Sequence, residues 1–156
     1  MSDPARELLR HTVATVAYRG GKALRDAPER FADFGSPAKT PLQILAHIGD
    51  LFDWALNMAR GTPAWTDSKP LPWPDEVARF HQALTAFDKF LASDQPLKSP
   101  TEKLFQGPVA DALSHVGQLA MLRRLAGCAI KSENYFVAEV AAGRVGPDQA
   151  APRKEF

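Results

Sequence analysis

Four residues of the 156-residue chain have types and spacing that could do chemistry together: His47, Asp111, His115 and Gln118. Asp111 and His115 are four apart, so on a helix their side chains are neighbours on one face. That spacing suits two ligands of one divalent metal, and His47, from an earlier helix and also turned inward, would be the third. Two imidazoles and one carboxylate leave coordination positions open, as in catalytic zinc sites and some iron sites. Gln118, one turn further on, could orient a ligand from behind. A metal-free account stands beside this one. An Asp/His pair at that spacing can satisfy itself, and Asp111 falls in the first turn of its helix, where the dipole favours a carboxylate by about 0.3 to 1 kcal/mol. An inward histidine such as His47 is also often only a hydrogen-bonded core residue.

The elements that must position these residues read as helices. Residues 107 to 127 form the first of them, with Pro108 at a first helical position and Gly127 as the stop. At about 100° per residue, Asp111, His115, Gln118, Leu119, Leu122, Leu125 and Ala126 share one side. The leucines mark that side as buried, so three polar groups on it require a partner or an ion. The helix carrying His47 opens with a capping box, Thr40-Pro41-Leu42-Gln43, and runs to about Arg60. Its apolar stripe is Ile44, Leu45, Ile48, Leu51, Phe52, Ala55 and Met58. His47 lies at one margin of it, in register with Leu51, Trp54 and Met58.

A first helix starts after Ser2 or Asp3 with Leu9, Val13 and Val16 inward and His11 outward. Gly20 and Gly21 leave open whether it continues. Gly61 to Pro74 holds four prolines and is a long connection, whose Trp65 and Trp73 would cover apolar surface whether or not a ligand binds there. A third helix runs from near Asp75 to before Pro96 with Val77, Phe80, Leu84, Phe87 and Leu91 inward, while His81 and Asp88 lie on its wet flanks. Arg123 and Arg124 fall off the buried face and read as solvated charges. A short fifth helix begins at Ser132-Glu133 with Phe136, Val137 and Val140 inward, and an irregular tail follows from Gly143.

Hydrophobic content of 45% and charged content of 24% fit one globular domain, and four long amphipathic helices with no alternating strand pattern argue for the all-α class, a four-helix bundle. A net charge of +1 gives no field for drawing in nucleic acid or a membrane surface. Cys128 is the only cysteine, so no internal disulfide is possible, and it lacks a basic partner that would make it a nucleophile. The charged start of the chain is unlike a signal peptide, and no apolar run approaches the ~20 residues of a membrane span. These features point to the cytoplasm.

The run DALSHVGQLAMLRRLAG from Asp111, with His47 in LQILAHIGDLFDW, resembles the DinB/YfiT-like superfamily of bacterial four-helix bundles. In that family a histidine on the second helix and an HxxxH pair, often followed by one residue and GQ, hold a divalent metal. The match holds at His47, His115, Gly117 and Gln118, and Asp111 stands where the first histidine of the pair would be. The resemblance implies a bundle over residues 1–145 with a tail at 146–156. It implies up-down-down-up connections, with the Pro-rich segment crossing from one end to the other. It further implies a metal held by His47, Asp111 and His115, zinc or nickel first and manganese or iron next. The activity implied is that of a homodimeric metal-dependent transferase using a low-molecular-weight thiol, or a hydrolase, acting on a small molecule. The alternative is a catalytically silent bundle that binds a ligand or partner. By rise per residue, His47 and His115 each lie roughly 9 to 11 Å from the start of their helices. Parallel helices would bring them level, whereas antiparallel helices would need an axial offset to bring them together.

Overall fold

The computed structural model describes residues 3–156; Ser2, the other candidate cap of the first helix, lies outside them. Asp3 is the cap, its carboxylate accepting the Ala5 N–H, and α1 (Pro4–Leu24) runs unbroken through the two glycines. A Cβ on Gly20 would come within 2.6 Å of the Phe80 ring, so the glycine allows α1 to lie against the third helix. After a 3₁₀ turn (Glu29–Asp33), α2 (Pro41–Arg60) opens on the expected capping box, with Thr40 Oγ1 and the Gln43 side chain satisfying each other's backbone N–H groups. α3 (Trp73–Ala92) begins two residues earlier than the sequence suggests, because Trp73 and Pro74 occupy its first turn.

The last long helix departs more clearly from expectation. It begins not at Gly107 but at Thr101, as α4 (Thr101–Leu104), and passes through a π turn (Phe105–Val109) into α5 (Ala110–Leu125). Pro108 is thus inside the rod. The wider turn accommodates a residue that cannot donate a backbone hydrogen bond. Gly127, at φ 77°, ends the rod as expected: its N–H and that of Cys128 cap the Arg124 and Arg123 carbonyls. The short fifth helix is a single 3₁₀ turn, Tyr135–Val137; of its expected inward residues Phe136 is almost completely exposed and Val137 is exposed, while Val140, past the turn, packs partly buried against the core. The tail carries no helix. It packs back through buried Val145 and through Lys22, which bonds both Glu133 and Glu155.

Contacts between the rods give their directions. Arg6 donates to the Phe90 and Leu91 carbonyls and Arg10 pairs with Asp88, whereas Gly20 faces Phe80, so α3 runs opposite to α1. Gly49 lies under Arg79, Phe52 beside Phe87 and Arg60 over Phe90, so α2 and α3 run the same way. Ser99 bonds the Met58 carbonyl, Trp54 faces Gly107, and His47 faces His115, so the last rod is antiparallel to α2. The core fills the space between the rods with Val13, Val16, Leu45, Ile48, Phe52, Phe80, Leu84, Phe87 and Leu119. No described helix is long and apolar enough to cross a membrane.

Candidate metal centre

α2 supplies His47 and α5 supplies Asp111 and His115, and the structure brings the three together: one ligand atom from each lies within 4.8 Å of the others. His115 Nε2 is 3.3 Å from Asp111 Oδ1, and His47 Nε2 is 3.5 Å from Asp111 Oδ2. The two imidazoles meet edge to face with centroids 4.7 Å apart. The axial offset that antiparallel helices need comes from the early start of the last rod. Trp54 of α2 sits opposite Gly107; about two turns back along α2, His47 sits opposite Asp111 and His115, about one and two turns further along the last rod.

The same early start changes how Asp111 must be explained. It lies well inside a continuous rod that begins at Thr101, so it is not placed to complement a free helix N-terminus. The expected buried side of this helix is also shifted. Ala112, Val116, Leu119 and Arg123 are the buried residues, while Leu125 is 64% exposed. Asp111, His115 and Gln118 therefore lie along the margin facing α2, not in the core. The Asp111 side chain is 47% exposed against 28% for His47 and 16% for His115, which leaves the group open to solvent on its carboxylate side.

Gln118 behaves as a supporting residue. Its Oε1 lies 2.9 Å from His115 Nδ1, placed to accept a hydrogen bond from that nitrogen, while Nε2 is the ring nitrogen turned towards Asp111. The crossover, Gly61 to Pro72, supplies the next neighbour. Trp65 stands edge-on to both His47 and Trp54, at centroid distances of 5.6 and 5.8 Å, and its indole N–H donates to Asp67. Trp73 plays no part here and packs on Phe31.

An ionic network with no local sequence signature holds this crossover down. Arg79 of α3 donates to Asp50, Asp53, Glu76 and the Ala46 carbonyl. Asp50 accepts the Ser68 N–H with its other oxygen, and Glu76 accepts the Leu71 N–H. Burial alone would lower the Arg79 pKa, but the hydrogen bonds it donates to Asp50, Glu76 and Asp53 outweigh it and raise the value. The pairing of Arg79 with Asp50 needs α2 and α3 to be adjacent and parallel, which no local pattern announces.

The remaining candidates lie away from the centre. His11 is exposed. His81 is half-buried, with Nδ1 3.3 Å from the Val145 carbonyl, and burial lowers its pKa. Asp88, expected wet, is buried against Arg10. Arg123, expected solvated, is 6% exposed and ties the ends of two rods together by donating to the Ala23, Arg25 and Cys128 carbonyls. Arg124 is exposed and Cys128 half-buried, neither near the three-residue group. Compared with known protein families, curated proteins and solved structures, the chain matches none.

Proposed function

We propose that this protein is a DinB-like helical bundle of up-down-down-up connectivity that holds one divalent metal with His47, Asp111 and His115. In this reading it acts as a metal-dependent transferase or hydrolase on a small molecule, with zinc or nickel as the first candidates, manganese or iron next, and a homodimer as its working form. The rod directions deduced from side-chain contacts support the connectivity.

The observation that carries the reading is the spacing of the donor atoms. Ligand bonds of about 2.0 to 2.1 Å place tetrahedral neighbours about 3.3 to 3.4 Å apart. The His115–Asp111 separation, 3.3 Å to Oδ1, falls there and the His47–Asp111 separation, 3.5 Å to Oδ2, lies just above it, with one donor atom of each residue within 4.8 Å of the others. Charge-assisted N–H···O bonds are shorter, about 2.7 to 2.9 Å. The donor set is chemically suitable, since two imidazoles suit zinc, nickel and iron, and one carboxylate hardens the set towards manganese. When bound, a divalent cation supplies Lewis acidity, favouring the deprotonated form of a thiol or water at neutral pH. The chain does the rest. Gln118 fixes the tautomer of His115, Trp65 limits solvent at His47, and the exposed side of Asp111 leaves room for a reactant.

Metal analysis tests this. Chelator-treated protein is expected to take up about one zinc or nickel ion per chain, and Asp111→Ala to lose at least about tenfold in affinity. A chain that takes up no zinc, nickel, manganese or iron is instead the catalytically silent bundle, its carboxylate serving only as a polar contact between two histidines.

A further inference from the structure

The three-residue group lies between two clefts of different chemistry. The one beside His47 is about 230 Å³ and is lined by Lys39, Gln43, Asp50, Asp67 and Ser68. Its acids are already engaged, Asp50 by Arg79 and the Ser68 N–H, Asp67 by the Trp65 indole. The one beside Asp111 is larger, about 460 Å³, and is lined by Trp54, Gln106, Gly107, Ala110, Asp111 and Ser114. Trp54 gives it an apolar wall, whose edge lies only 3.8 Å from where a Cβ on Gly107 would stand. The Ser114 hydroxyl donates to the Ala110 carbonyl and keeps its acceptor lone pairs, while the Gln106 amide bonds to no described side chain or backbone group. No lysine or arginine lines this cleft.

These features select a ligand class. An apolar, planar portion matches the indole, and one neutral polar group matches Gln106 or Ser114. A carboxylate away from the reacting end would meet no counterion among the lining residues. We propose that the cleft beside Asp111 is the substrate site and takes an uncharged small molecule with a planar apolar portion, its reacting end towards Asp111, in preference to a polyanionic one. The identity of that end rests on the metal-dependent reading above; the cleft itself does not.

Benzyl mercaptan and mercaptosuccinate offer the same thiol on an apolar and on a dianionic body. Binding to zinc-loaded protein is read by indole fluorescence, with Trp54→Phe identifying the reporting ring. Benzyl mercaptan is expected to bind at least about tenfold more tightly; equal or tighter binding of mercaptosuccinate overturns the proposal. Ser114→Phe fills the cleft from an exposed helical position, so it is expected to weaken benzyl mercaptan by a similar factor while circular dichroism and zinc uptake stay unchanged. Wild-type affinity in that folded variant also overturns it. If the chain takes up no zinc, the metal reading fails separately, and benzyl alcohol with chelator-treated protein decides the cleft. Binding to the wild type that is lost in Ser114→Phe supports it; no binding to the wild type, or binding that survives the substitution, refutes it.

Discussion

At the scale of single residues, the centre depends on how each ring is held as much as on which rings are present. His115 can offer Nε2 to a cation only while Nδ1 carries the proton, and Gln118 Oε1 at 2.9 Å keeps it there. Gln118→Leu is therefore expected to weaken zinc binding by about tenfold, while Gln118→Glu, which keeps the acceptor, retains the affinity. Calorimetric titration of both variants checks this, and equal affinity in Gln118→Leu would show that the glutamine has no such role. Asp111 differs from the histidines in being nearly half exposed. Its position turns a contact between two helices into a surface that a second molecule can reach.

At the scale of elements, the crossover between α2 and α3 is held by buried charges. Arg79 joins Asp50 and Glu76, both under a tenth exposed, and each of those carboxylates also fixes a backbone N–H of the crossover. Removing the guanidinium would leave two buried carboxylates without a counterion, at a cost of about 3 to 5 kcal/mol. Arg79→Met is expected to destabilise the chain by that order in denaturant unfolding. It should also speed hydrogen exchange at the Ser68 and Leu71 amides before global unfolding. Exchange at those amides that remains as slow as in the wild type would mean that the crossover is held by something else. Because Trp65 rests on His47, loosening the crossover should also alter Trp65 fluorescence.

At the scale of the whole molecule, the tail is tied to the bundle by groups that titrate. His81 on α3 is placed against the Val145 carbonyl, and burial, aided by the charge of Arg25, lowers its pKa below 6.5. The folded chain therefore binds this proton less readily than the unfolded chain. Stability from this site is complete above pH 6.5 and falls as the pH drops from there towards the lower folded value. Thermal melts between pH 7.5 and 5, without added metal, are expected to show this loss and to show less of it in His81→Gln. An equal loss in both would assign the acid sensitivity to other groups. At the other end, Lys22 bonds Glu133 and Glu155. Burial opposes its charge, but the two carboxylates prevail and raise its pKa, so the Lys22 ammonium stays charged at neutral pH.

What the sequence determined by itself was the helical class, the capping box that starts α2, the glycine that ends α5, and the spacing that makes Asp111 and His115 neighbours. Each of these is set by interactions within about four residues, which local pattern records. His47 could be nominated from its margin position, but its meeting with Asp111 depended on helix direction and axial offset. Those were decided by the early start at Thr101 and the π turn around Pro108, a residue that reads locally as a beginning. Arg123 and Asp88 looked like solvated groups, and Arg79 carried no local signal, because each has partners far along the chain. Only the packed arrangement of the rods supplies the carbonyls and carboxylates that allow them to be buried.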